Sequence, residues 1–450
     1  MSRSPARMNP KSASRSIPEL VLIALIALVP VVFERLTQEC FEIPQAALLA
    51  TGALVLLGYA LAREAGRASS WATRLKAWAA RDLLGVGILL FLLSAVLSTL
   101  ASPNPAQSLH GAPDSTAGLV AALSTAAVYF ASRSVSRGDP RVLLRFARAA
   151  GCASAIASGY ALLQLTGLDP LIWGRTASYD GAVRIFGTLG HPNMLGAYLA
   201  MTMPLTIWLA VRAGSGAERS LWALIATVSV VTIAATLSRG AWIGLGAGAM
   251  AVALLAWIGK GRPAGKTSTP RRSRLPMALL VSLAAALVAV LFFARTPMGP
   301  HVLDRVRQLT SLSAPTTQSR LHIWRAAWRM FQDHPAWGVG LDAFGTFFPR
   351  YRTAEYWRVE WGRTPNKAHN EALQILATQG LVGGIAALLV LALALRAIVS
   401  AARRGEGDAR WGAIVAGAAL VAFAVQDLAS FTVVALGSLA AAIAGWVSSA

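Results

Sequence analysis

The sequence predicts an all-α integral membrane protein of about twelve transmembrane helices, with a large helical loop before the tenth. Three observations carry this. The chain of 450 residues is 55% hydrophobic and only 14% charged, whereas soluble domains carry roughly 25% charged residues. Apolar runs of about 20 residues, the length that crosses a bilayer, recur along it. Lys and Arg gather in alternate short loops, as they do when basic residues stay on the cytoplasmic side.

Taken in order, the expected spans are roughly 19–33, 43–62, 82–101, 116–133, 146–166, 191–211, 220–237, 240–258, 275–294, 370–395, 411–428 and 430–448. The basic N-terminus and the apolar run from Leu20 to Phe33 resemble a signal peptide. Phe33-Glu34-Arg35 is no small-residue cleavage site, so an uncleaved first helix is expected. Gln426 and Asp427 interrupt the last apolar region and mark a hairpin. The resulting organisation is a basic cytoplasmic tail (1–18), helices one to nine (19–294), a large extracytoplasmic loop (295–368) and helices ten to twelve (369–450).

Orientation follows from the loops. One side receives Arg3, Arg7, Lys11 and Arg15, then Arg63, Arg67, Arg74, Lys76 and Arg81, and later the 260–274 and 396–410 clusters. The loops 34–42 and 101–115 are nearly free of basic residues. Both termini are therefore expected in the cytoplasm. The net charge of +21 reads as this topological bias, and no nucleic-acid partner is expected. On the opposite side, loop 167–190, Arg239 and the long loop are exceptions, and the long loop alone carries about eleven Lys and Arg. Long loops translocate regardless of charge, so these cations need another reason. An anionic ligand on that side supplies one.

Several residues are candidates for chemistry. His369 opens the tenth span, where the helix dipole disfavours a protonated imidazole. A neutral imidazole there suits a general base, and a plain interfacial cap is the competing role. Arg320 opens RLHIWRAAWRMF, which reads as an amphipathic helix at the membrane surface. Its guanidinium suits a pyrophosphate or simple anchoring. In this helix Arg320, Trp324 and Ala327-Trp328 are expected on one face, Arg325 and Arg329 on another. Arg239, in LSRGAWIGL, is costly at the end of a span unless paired, functional or snorkelling. Asn193, in GTLGHPN, belongs to a capped helix start or offers its amide to a sugar. In DHPAWGVGLDAFGTFFPRYR, Trp337 and Phe344 are expected in a loop core, with Arg350 and Arg352 as ligand contacts. Asp427 is either a polar site group or a structural hydrogen bond between hairpin helices.

The acidic residues of the long loop are scattered, with no pair spaced for a divalent metal and none for glycosidase chemistry. No metal and no cofactor are expected. Cys40 and Cys152 give neither a metal spacing nor a disulfide framework. The GRPAGKT stretch lacks the glycine spacing of a phosphate loop.

The ordered pieces GTLGHPN, LSRGAW, SRLHIWRAAW, DHPAWGVGLDAF and AHNEALQILATQGLVG span Gly187 to Gly384. Together they resemble the O-antigen ligase/O-antigen polymerase family of bacterial membrane glycosyltransferases. The resemblance implies a helical fold of the lipid-phospho-sugar glycosyltransferase type in the inner (cytoplasmic) membrane, with the site facing the periplasm. It implies a glycan donor on undecaprenyl diphosphate and a lipid A–core or other envelope glycan acceptor. By motif it implies Arg239, Arg320 and His369 as catalytic residues, and Asn370 beside them as a substrate contact. A polymerase of the same family is the alternative, and a membrane transporter is a further one.

Overall fold

The computed structural model describes the chain except residues 1–15, 37–38, 65–77, 172, 174–177, 180–181, 260–292, 294, 296–298, 309–310 and 312–314. Regular structure in the described part is helical apart from one two-residue ladder and one isolated bridge between Ala112 and Ser115. In order the helices are α1 (Ile17–Leu28), α2 (Glu42–Glu64), α3 (Leu83–Ala101), α4 (Pro105–His110), α5 (Leu119–Ser136) and α6 (Pro140–Leu165). The small hairpin β1 (Ser178–Tyr179) and β2 (Ala182–Val183) precedes α7 (Pro192–Arg212), α8 (Gly216–Ala235) and α9 (Arg239–Ile258). The long loop holds α10 (Gly299–Arg307), α11 (Pro315–Asp333), α12 (Phe344–Tyr351) and α13 (Ala354–Val359). The chain ends with α14 (Glu371–Arg404), α15 (Gly407–Asp427) and α16 (Val434–Ser449).

Nine of the described helices are long and apolar enough to cross a membrane, and α1 and α16 are shorter apolar helices. These eleven fall on eleven of the expected spans. The other, 275–294, lies outside the described residues except Phe293. α1 stops at Leu28, short of the expected 33, because Pro30 has no N–H to continue the helical ladder. α6 starts at Pro140, earlier than expected, because Asp139 caps it by accepting from Arg141 N–H at 2.8 Å and proline suits the first turn.

α7 is the centre of the bundle. It is buried all round, packed by α6, α8, α9 and α15, as befits a helix with no polar face. Small residues allow close approach, since lipid offers no hydrophobic drive for helices to associate. A Cβ on Gly196 of α7 would lie 2.7 Å from the Ala241 Cβ of α9. One on Gly244 of α9 would lie 2.8 Å from the Ala422 carbonyl oxygen of α15.

The long loop folds on a core of its own. Ile323, Ala326, Ala327 and Met330 of α11 are buried with Phe344, Phe347, Phe348 and Tyr356. This stripe has helical spacing, so α11 buries a face in the loop core as well as presenting a charged one. The expected face of Trp324 and Trp328 does not hold together: Trp328 is exposed beside Arg325 and Arg329. Phe344 is in the core as expected, whereas Trp337 is partly exposed.

The loop is stitched into the bundle at a break in α14. Gly380 has φ 64° and ψ −160° inside that helix. Val339 N–H donates to Ala377 O and Gly340 N–H to Thr378 O, both at 3.0 Å, and Leu381 N–H donates to Pro335 O at 2.8 Å. Ser98 Oγ of α3 donates to Thr378 O at 2.6 Å. Backbone groups freed by the break are thus paired within the protein, which a lipid environment requires. A Cβ on Gly380 would lie 2.4 Å from the Ala336 backbone. We expect Gly380→Ala to destabilise the protein by about 3 kcal/mol or more, from backbone strain plus the clash. A fall in unfolding temperature in detergent, beside a Gly246→Ala control whose Cβ meets nothing within 4 Å, checks this.

Candidate active site

At the loop end of the bundle, three helix N-termini converge with the end of α15. His191 caps α7, its Nδ1 accepting from Asn193 N–H at 3.1 Å. Ser238 caps α9 through Ala241 N–H at 3.4 Å. Asn370 caps α14 through Leu373 N–H at 3.0 Å. Asn370 Nδ2 also donates to Leu428 O just after α15, at 3.0 Å. A Cβ on Gly240 would sit 3.6 Å from Ala429. Helix N-termini favour anions through their unpaired N–H groups and dipoles.

Arginines fill the same end. Arg239, the first residue of α9, donates from Nη1 to Gln308 O at 2.6 Å. Its Nη2 donates to Thr316 Oγ1 at 3.0 Å and Thr317 Oγ1 at 3.3 Å. It therefore ties the bundle to the start of α11, which carries Arg320. The Arg320 guanidinium has no hydrogen bond or ion pair to any described residue, although it offers five donors. Burial, then the neighbouring Arg239 and Arg305, lower its pKa to about 10. It stays charged at neutral pH, in a recess where like charges repel.

His369 lies between Lys367 and the Asn370 cap with φ 52°, a left-handed conformation that costs an L-residue about 1–2 kcal/mol. Its ring centroid is 5.4 Å from that of Phe431, and its Nδ1 is buried without a partner. Burial first, and the Arg320 charge second, lower its pKa to about 4. The imidazole is therefore neutral at physiological pH, as expected, but because it is enclosed beside a cation. Of the four non-glycine residues with left-handed φ among those described, Leu237, Asp342 and His369 all adjoin this region. Such strain persists where surrounding structure over-determines it, often at functional sites.

The strand of chain that carries His369 is anchored by Asp342. This carboxylate accepts from Ala112 N–H at 2.7 Å, Ser115 Oγ at 2.9 Å and Ala117 N–H at 3.2 Å. It also pairs with the Lys367 ammonium, two residues before His369, and both side chains are nearly inaccessible. Removing one partner of such a pair leaves an uncompensated buried charge. Asp342→Ala is expected to cost about 3–5 kcal/mol, measurable as lost stability of the purified protein.

The remaining expected contacts divide. Arg239, Arg320 and His369 come together. Trp324 lies one turn beyond Arg320 on α11, with its Nε1 buried and unpaired. Asn370 and Asp427 both make structural hydrogen bonds, and Asp427 Oδ1 is buried with no partner among the described residues. Both ends of the Asn370 amide are engaged in capping, as given above. Asp427 Oδ2 accepts from Thr432 Oγ1 at 2.5 Å, and Thr432 N–H donates to Glu371 Oε2 at 3.1 Å, which joins α14, α15 and α16. Asn193 Oδ1 accepts from Arg184 Nη2 at 3.0 Å, so it holds an arginine. Arg350 lies over the Phe347 ring at 5.2 Å and Arg352 over the Trp357 ring at 4.1 Å. Each stacks on the loop's own aromatics, and neither is among the charges acting on His369. Sequence reasoning missed Arg184, Arg305 and Glu371. The sole sequence signal for Arg184 is its membership of an unexpectedly basic loop on the ligand side.

The fold and this recess define a multi-pass membrane protein with a cation-lined site at the ends of its helices. Residues 221–388, which include Arg239, Arg320 and His369, match the family described as O-antigen ligase. The comparison with curated proteins found no match.

Proposed function

We propose that the protein transfers a glycan from undecaprenyl diphosphate to an acceptor hydroxyl on lipid A–core or a related envelope glycan. The reaction takes place at the periplasmic face of the bacterial inner membrane, with both termini in the cytoplasm. The observation that carries this is the Arg320 guanidinium, without a partner among the described residues, beside a neutral, strained His369. A largely enclosed cation with no counter-ion among the described residues suits an anionic ligand. Arginine binds phosphate oxygens in a planar, two-pronged way.

In this reading Arg320 and Arg239 bind the diphosphate. His369 accepts the proton of the acceptor hydroxyl as its oxygen attacks the anomeric carbon. The new carbon–oxygen bond forms while the bond to the diphosphate oxygen breaks, and the electron pair leaves with undecaprenyl diphosphate. Attack opposite the leaving group inverts the anomeric carbon. The three helix N-termini and the arginines supply fixed positive potential where negative charge develops. Phosphate neutralisation falls to arginine, so the reaction is metal-independent, and membrane lipid surrounds the long donor tail.

The test uses purified protein, an undecaprenyl-diphosphate-linked glycan and lipid A–core, with and without EDTA. Glycosylated acceptor formed equally in EDTA supports the ligase reading. Longer lipid-linked glycan without acceptor modification moves the assignment to a polymerase. Absence of both products contradicts the transferase reading.

A further inference from the structure

The segment entering α7 presents one more cation to the same recess. Arg184 follows β2, and its Nε donates to Thr236 O at 2.8 Å, at the end of α8. Its Nη2 donates to Asn193 Oδ1 at 3.0 Å, in the first turn of α7. The backbone just beyond is fixed as well, because Gln164 Oε1 accepts from Phe186 N–H at 3.1 Å and Gly187 N–H at 2.9 Å. Arg184 is therefore clamped to the α8–α9 turn that carries Arg239. Both partners of its guanidinium are neutral oxygens, and no carboxylate among the described residues pairs with it. Burial, then Arg305 and Arg320, lower its pKa to about 10, so it too is charged at neutral pH.

A structural arginine can be satisfied by a carbonyl and an amide. What those bonds do not explain is why it is held charged, near other arginines, with no counter-ion among the described residues. Bonds to neutral acceptors orient the fork and leave Nη1 for a ligand.

We infer that Arg184 is a third phosphate-binding residue of the donor site, matched to the negative charge that the diphosphate gains as the glycan leaves. The inference rests on the donor-site reading above. A glycosyl polyprenyl diphosphate is a diester. When the anomeric bond breaks, the electron pair stays on the phosphate oxygen and the leaving group becomes a monoester with one more ionised oxygen. Arg184 then favours the departing group over the intact donor, and its loss lowers kcat more than it raises KM for the donor. Asn193 is its positioning residue.

The test measures binding of farnesyl diphosphate, a monoester probe, to the purified full chain in detergent. The variants are Arg184→Gln, Asn193→Asp and Arg320→Gln. Asn193→Asp keeps the acceptor oxygen that holds Arg184 and adds a carboxylate that neutralises it. Acids are favourable in the first turn of a helix, so this variant is expected to fold even if Arg184→Gln does not. Weakening by about tenfold or more in both Arg184→Gln and Asn193→Asp, or in Asn193→Asp alone where Arg184→Gln does not fold, supports the inference. Wild-type affinity in these two variants with loss in Arg320→Gln overturns it and leaves the donor site standing. Wild-type affinity in all variants overturns the donor site as well.

Discussion

Replacing His369 by alanine is expected to abolish transfer, lowering kcat by about 10²–10⁴-fold, the usual contribution of a positioned base. Two features of the structure sharpen this expectation. The imidazole is neutral, with its pKa lowered to about 4, and a base acts in its deprotonated form. The rate is therefore expected to be flat from about pH 6 to 8 and to fall as pH drops through about 4. The φ of 52° provides a fold control. Asn tolerates left-handed backbone better than most residues, so His369→Asn retains the turn into α14 and loses only the base. Equal loss of rate in His369→Ala and His369→Asn, with unchanged unfolding temperature, separates chemistry from capping. A variant that retains more than about half the wild-type rate removes His369 from the reaction.

Arg320→Ala carries the second large effect, an expected loss of about 10³-fold in kcat/KM. Its guanidinium spends nothing on the fold, having no partner among the described residues. Removing it also relieves repulsion with Arg239 and Arg305. Stability is therefore expected to stay equal or rise while activity falls, the pattern of a residue kept for function. Arg320→Lys is expected to recover little, because an ammonium cannot reproduce the planar fork. Steady-state kinetics beside thermal unfolding decides this: loss of fold in step with loss of rate contradicts the functional assignment.

Much of the fold is legible in the sequence because span length and loop charge are local properties. Helix starts are legible where a cap precedes proline or a small residue, as at Asp139-Pro140 and His191-Pro192. The fold of the long loop is not, although its apolar stripe at 323, 326, 327 and 330 has helical spacing. The tryptophans and arginines around it suggest a membrane surface, and the sequence does not say that Phe344, Phe348 and Tyr356 cover the stripe from beyond. Arg239, Arg320 and His369 stand out because each sits at a membrane-helix boundary or in a helical motif. Arg350 and Arg352 look equivalent by type, and only the placement of Phe347 and Trp357 shows where their charges rest. Arg184 is hidden for the same reason: its meaning depends on a carbonyl 52 residues away.

The most direct measurement is the anomeric configuration of the new linkage, determined by NMR on acceptor glycosylated from a donor of known configuration. A single displacement with His369 as base and the arginine-bound diphosphate as leaving group predicts inversion in every turnover. Retention would contradict it, because a retained anomer requires two displacements or attack from the leaving-group side.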